Sequence, residues 1–343
     1  MTSTSPLAGD ARRTAEELLS GPDRGVLLSM SKDPDAKVTF VTTSPGGVHH
    51  GCAVKVATTP RASLAVEAEG RALVGLRRMP LGSLRDTIPR YVDSFREGST
   101  AVLVSSIVPG VPMSVGYHNW LHTARPQAVR TDLRLASRWL RAFQQHTAGP
   151  ATPLVWAAAV RDDVAGRWDG HPDLAAALGR LDAAVDVLQG SHTPTSAVHG
   201  DFWFGNLLVT GDEVSGVIDW ESAAMSGCPL RDRARFALSY CLYLDRHTRP
   251  GHRVLGHPGL RRASFGSGVR YGLLGTSWLS STVREFLAGG LEDLGLPRGH
   301  WYAVALAGLG EIAASANDET FGADHLGLLA RLPPHPRLER RQA

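Results

Sequence analysis

The chain has 343 residues, of which 43% are apolar and 20% charged, and its formal charge is only +3. This balance excludes collagenous, coiled-coil and wholly disordered chains, and the length predicts two lobes, because one hydrophobic core stops growing well before this size. Of the 36 basic side chains only Lys32, Lys37 and Lys55 are lysines, so a lysine at a chemically suggestive place carries weight, Arg and Lys not being interchangeable.

Cys52, Cys228 and Cys241 are odd in number and form no C-x-x-C pair, so neither a disulfide framework nor a zinc site is expected. The polar start MTSTSPLAGDARR lacks an apolar leader core, and no apolar run approaches a membrane span. A soluble, cytoplasmic protein with no membrane partner is therefore expected. The basic excess is thin, and without a Lys/Arg block or an aromatic RNA-reading motif no nucleic acid is expected.

In chain order, residues 11–20 predict a short helix, and 25–31, 37–43 and 52–58 predict three short strands joined by turn-forming SKDPDA and SPGGVHHG, hence an antiparallel meander. Leu64, Ala68, Ala72 and Leu76 recur every fourth residue, which predicts a helix over 62–77. Residues 99–108 predict a further strand, closed by Pro109-Gly110. Beyond it Leu133, Ala136, Leu140 and Phe143 mark one helix, and Leu174, Leu178, Leu181, Val185 and Leu188 a second. Residues 197–220 interrupt with a loop and two short strands, LLVT and GVID, around a Gly-Asp turn. Helices are then expected over 231–245, 269–290 and 301–316, and the Gly-, Arg- and His-rich segment 246–268 is expected to be a solvated surface insertion. The fold class is α+β. The expected organisation is a strand-rich lobe over 1–104, a joint over 105–112 and a mainly helical lobe over 113–343, with a ligand in the cleft between lobes.

The strongest motif is His199-Gly200-Asp201-x-x-x-x-Asn206, followed by Asp219 in Val-Ile-Asp-Trp-Glu. Phosphoryl transfer from a nucleotide needs one carboxylate to orient the acceptor hydroxyl, plus an amide oxygen and a second carboxylate to hold Mg²⁺ on the phosphates. Asp201, Asn206 and Asp219 supply those groups. Upstream, Lys55 in Ala-Val-Lys-Val lies on the third predicted strand, facing opposite to its valine neighbours. Glu67 and Glu69 on the next helix are candidates for the ion pair that fixes such a lysine against phosphates. His199 is expected to be a structural hydrogen-bonding residue, and Phe202, Trp203 and Phe204 to pack the loop.

The segment HGDFWFGNLLV…GVIDWESA resembles the catalytic core of the aminoglycoside phosphotransferase family, relatives of protein kinases that phosphorylate small-molecule hydroxyls. Gly200 where protein kinases carry Arg, and Ile-Asp-Trp-Glu where they carry Asp-Phe-Gly, favour this family over protein kinases proper. The resemblance implies a two-lobed protein-kinase-like fold, with a small antiparallel sheet and one helix in the first lobe. It implies Asp201 as catalytic base, Asn206 and Asp219 as Mg²⁺ ligands, Lys55 on the phosphates of ATP or GTP, and Glu69 as its partner with Glu67 as the alternative. Gly227-Cys228-Pro229-Leu230-Arg231-Asp232 resembles the family's G-x-P-x-x-D, so Asp232 should brace the loop. Residues 102–110 resemble the adenine-binding linker, with backbone contacts expected around Val104, Ser105 and Ile107.

The chain departs from the family pattern in the loop that would cover the phosphates and in the half beyond residue 240, which matches nothing specific. The loop between the first two strands, residues 31–36, has no glycine, so Ser31 or Lys32 would cover the phosphates through side chains. Arg246, Arg249, Arg253, Arg261 and Arg262 crowd one segment, where enzymes for polycationic substrates are expected to carry carboxylates. The expected acceptor is therefore a neutral or anionic small molecule, such as a sugar-containing natural product or an antibiotic, rather than a polycationic aminoglycoside. The competing expectation is a non-catalytic, nucleotide-binding regulator of the same fold.

Overall fold

The computed structural model describes residues 26–30, 35–42 and 51–336. The expected helix over 11–20, Ser31 and Lys32 lie outside the described residues. The chain divides into two compact units, one running up to Gly110 and including Leu208–Met225, the other comprising Val111–Leu207 and the chain from Ser226 on. Leu208–Met225, expected within the 113–343 lobe, thus packs with the first unit.

The first unit is an antiparallel sheet of five strands. They are β1 (Val26–Met30), β2 (Lys37–Thr42), β3 (Cys52–Ala57), β4 (Tyr91–Glu97) and β5 (Thr100–Ser106), in the order β1-β2-β3-β5-β4. The meander follows from alternating β-branched residues and short turns. β4 escapes the sequence reading because it is a half-exposed edge strand, YVDSFRE, with no continuous apolar run. Val54, Val102 and Val104 are fully buried, and Phe40, Val56 and Phe95 pack around them. Helix α1 (Pro60–Arg77) starts where Thr59 caps the Ala62 amide (3.0 Å) and Pro60 fills the first turn. It buries Val66, Glu69, Leu73 and Leu76 and packs on β3 and β5.

A hairpin, Leu207–Thr210 with Glu213–Val217, leads to a 3₁₀ turn at Trp220–Ser222 that packs against α1. Trp220 is fully buried, and its indole donates to Val217 O (2.8 Å). Gly75 of α1 makes this approach possible, since a Cβ there would lie 2.7 Å from the Met225 sulfur.

The second unit is built from helices α2 (Met113–Tyr117), α3 (Pro126–His146), α4 (Trp156–Arg167), α5 (Leu174–Leu188), α6 (Leu230–Leu242), α7 (Ser267–Leu274), α8 (Trp278–Asp293), α9 (Trp301–Ser315) and α10 (Glu319–Arg331). All four residues of the expected α3 face are buried. On α5 the buried stripe is Ala177, Leu181, Ala184 and Leu188 rather than the leucine-valine series, because alanines permit the closer helix contact. The single helix expected over 269–290 is two. Gly275 interrupts it, and Ser277 caps α8 by accepting from the Ser280 amide (3.2 Å).

Segment 246–268 is not a loose insertion. Gly251 N donates to Arg262 O (2.7 Å), Arg262 N to His252 O (3.0 Å) and Val254 N to Leu260 O (2.9 Å), closing a hairpin-like excursion. The Arg262 guanidinium donates to Thr248 O (2.6 Å) and Arg246 O (3.1 Å). The excursion is seated on residues 123 and 124: His257 is buried with Nε2 3.3 Å from Thr123 Oγ1. A Cβ on Gly256, whose φ is +77°, would come within 2.1 Å of Ala124 Cβ. This order comes from main-chain bonds, from side-chain-to-carbonyl bonds and from buried Val254, His257 and Leu260, which leave no periodicity in the sequence.

Candidate active site

In the first unit Lys55 sits mid-strand, opposite Thr39 on β2 and Leu103 on β5. Its ammonium donates to both carboxylate oxygens of Glu69 (2.7 Å each) and to Asp219 Oδ1. Burial opposes the Lys55 charge, but Asp219 and Glu69 outweigh it and hold the pKa above the usual lysine value. Burial pushes the Glu69 carboxyl up, and Lys55 pulls against that shift. Of the two candidate partners Glu69 meets Lys55, whereas Glu67 pairs with Arg96 (2.6 Å) on a more exposed face. Lys37 pairs with Glu221, two residues beyond Asp219.

Asp219 has a left-handed backbone, φ 65° and ψ 62°, a conformation costing an L-residue of order 1–3 kcal/mol that clusters at functional sites. Its side chain is 40% exposed and that of Glu69 3%, so Asp219 is the member of the trio open to a ligand. Val104 and Ser105 pair with Val54 and Ala53 of β3 and with Asp93 and Tyr91 of β4, and both are buried. Ile107 follows β5 and is 44% exposed. Lys32 lies outside the described residues.

In the second unit the 199–206 loop hangs from α6. Asp232, in the first turn of that helix, accepts from the amides of His199 (2.7 Å) and Gly200 (2.8 Å), as the G-x-P-x-x-D resemblance implies. Burial raises the Asp232 pKa, and His199, the two amides and Arg231 work against the rise. Gly200 has φ +81°, a turn that suits glycine. His199 is fully buried, and its Nδ1 accepts from the Asp201 amide (3.2 Å), which is a structural role. Asn206 donates to Asp201 O (2.9 Å) and Oδ2 (3.2 Å), leaving its amide oxygen for a ligand.

Arg235 is the residue the sequence reading missed. Its Nε and Nη2 reach Asp201 Oδ1 at 2.9 and 2.6 Å, so the carboxylate is gripped by a guanidinium on one oxygen and by Asn206 on the other. The only sequence signal is its place three residues after Asp232, one helical turn along the same face. Phe202 and Phe204 are fully buried. Phe202 stacks on Trp139 (5.5 Å), Phe204 on Tyr117 (4.1 Å) and Trp203 on Tyr243 (5.8 Å). The loop is thereby anchored by packing, as expected of its aromatic residues.

A small antiparallel sheet with one helix, and a separate helical unit carrying H-G-D-x-x-x-x-N, define a two-lobed protein-kinase-like α+β fold. The chain belongs to the phosphotransferase enzyme family, whose profile matches residues 33–265. Among solved structures it is similar to a thermostable mutant of aminoglycoside phosphotransferase APH(4)-Ia, with 15% identity over 93% of this chain and 98% of that one at a TM-score of 0.56. It is also similar to the macrolide 2'-phosphotransferase MphH from Brachybacterium faecium, with 15% identity over 96% and 99% of the two chains at a TM-score of 0.52. At such identity these likenesses carry the fold alone. No curated protein matches the sequence. Among the described residues no helix is long and apolar enough to cross a membrane.

Proposed function

We propose that the protein transfers a phosphoryl group from ATP or GTP to a hydroxyl of a small molecule. The observation that carries this reading is the pairing of Lys55 with Glu69 at 2.7 Å in one unit, together with the Asp201–Asn206 arrangement braced by Asp232 in the other. Lys55 stays protonated and steadies the donor phosphates. Residues 1–104 bind the nucleotide, with Val104, Ser105 and Ile107 offering main-chain atoms to the base. Lys32 adds positive charge for the phosphates, and 105–112 is the joint to an acceptor-binding lobe within 113–343 that excludes Leu208–Met225.

Asp201 accepts the hydrogen bond of the acceptor hydroxyl, aligns its oxygen and takes the proton as the new O–P bond forms. Asn206 in the second unit and Asp219 in the first each offer an oxygen donor of the kind Mg²⁺ prefers, and such an ion would neutralise charge on the phosphates. The remaining contribution of the chain is positioning.

Asp201→Ala should lower kcat by about 10²–10⁴-fold while nucleotide binding, read by a fluorescent analogue, stays near the parent value. Unchanged turnover in that variant would overturn the base assignment. Measurable Mg²⁺-dependent nucleotide turnover in the parent also separates this reading from a non-catalytic regulator.

A further inference from the structure

The second unit contains a cavity of about 710 Å³ bounded by residues 117–123 and by the 243–255 stretch, a size that suits a small-molecule ligand. Its lining holds Arg249, Arg253, His118, His247 and His252, and no carboxylate among the described residues that line it. The nearest acid in the adjoining turn, Asp245, faces Arg262, and burial pushes its carboxyl up. Apolar surface accompanies the positive wall: Trp120 is 77% exposed and Leu255 60% exposed at the same cavity. Leu121 holds a left-handed backbone (φ 58°), which a leucine rarely adopts.

The cavity adjoins the 199–206 loop through two aromatic contacts. Its wall residues Tyr117 and Tyr243 stack on Phe204 (4.1 Å) and Trp203 (5.8 Å), the residues between Asp201 and Asn206. His118 and His247 pack edge to face (5.4 Å), and Arg246 lies over the Tyr243 ring (5.4 Å). The wall is preorganised by the Arg262 bonds that close the excursion. Asp201, the carboxylate that would attract a cationic acceptor, already has its charge matched by the Arg235 fork.

We propose that this cavity is the acceptor site and that it selects a hydroxylated organic anion. The acceptor carries a carboxylate or a phosphate ester on an apolar or aromatic body, with Arg249 and Arg253 reading the anionic group. Guanidinium pairs fit both of those anions in bidentate geometry, and exposed Trp120 and Leu255 cover the body. The inference rests on the phosphotransferase reading above only for the word acceptor. Occupancy of the cavity by an anion stands on the lining itself.

Calorimetric titration tests it with four matched probes: p-nitrophenyl β-D-glucuronide, p-nitrophenyl β-D-glucoside 6-phosphate, the neutral p-nitrophenyl β-D-glucoside and the aminated p-nitrophenyl β-D-glucosaminide. At least one anionic probe should bind about tenfold or more tighter than the neutral one, the carboxylate and phosphate arms telling which anion is preferred. The preference should collapse in the Arg249→Ser/Arg253→Ser double variant and in high salt. Equal or tighter binding of the neutral or aminated glycoside, binding by none of the four, or a preference that survives in the double variant would each overturn the proposal. Mg²⁺-dependent hydrolysis of ATP and of GTP by the parent protein, with and without the four probes, is measured alongside. Its absence would sink the phosphotransferase reading and leave the binding result standing, so the two failures are told apart.

Discussion

At Lys55 two opposed effects are large, and the carboxylates win. A buried ammonium alone would shed its proton, yet Glu69 and Asp219 hold it charged. Removing one partner of a buried pair costs roughly 3–5 kcal/mol, and because Asp219 remains, Glu69→Ala should lose about 3 kcal/mol or somewhat less by urea unfolding. The same variant should raise the KM for nucleotide more than it lowers kcat. A stability change within about 0.5 kcal/mol, the level of ordinary surface positions, would show that the pair does not support the fold. The contact of Asp201 with Asn206 was legible in the sequence because the spacing of the two residues is itself the motif, and Lys55 stood out as one of three lysines on a predicted strand. Glu69 and Glu67 were not separable by periodicity alone, since what decides between them is Arg96 on β4, a strand the sequence did not announce. Arg235 was illegible for a related reason: its partner lies 34 residues away, and nothing local requires a guanidinium there.

Helix α6 has the most to do among the elements. Its first turns supply Asp232 and Arg235 to the 199–206 loop, while α7, α8 and α9 pack around it. Glycines set the approach distance. A Cβ at Gly308 of α9 would lie 2.6 Å from Ala234 Cβ, and one at Gly290 of α8 would run into the Arg233 side chain at 1.9 Å. Gly308→Val should therefore destabilise by about 1–3 kcal/mol through overpacking and should also lower turnover by displacing α6, although Gly308 touches no ligand. Full activity with an unchanged melting temperature would show that α6 tolerates displacement. Helix faces with leucine or phenylalanine at every third or fourth place were readable in advance. The alanine stripe of α5, the break at Gly275 and the closed excursion after α6 were not, because each depends on contacts distant in sequence.

Over the whole molecule, His257 and His325 contribute to how the protein responds to acid. Burial lowers the pKa of His257 and of His325 from 6.5 to about 4, so the unfolded chain binds protons there before the folded one does. Their contribution is intact above pH 6.5 and is lost as pH falls toward 4, at a cost of up to about 3 kcal/mol each. Asp232 and Asp245, with raised pKa values, act in the opposite sense, since the folded state takes up their protons more readily. The melting temperature should fall as pH drops below 6.5, and His325→Gln should flatten that decline. A melting temperature constant between pH 6.5 and 4.5 would contradict the account.

The excursion over 246–262 is tied to itself by Arg262 and begins four residues after α6 ends. Arg262 and main-chain bonds close it on itself, and Val254, His257 and Leu260 are its buried residues, so its exposed side chains can vary without disturbing the helix that carries Asp232 and Arg235. Sequence changes confined to that exposed stretch of fewer than twenty residues should therefore leave the contacts of Asp232 and Arg235 with the 199–206 loop intact.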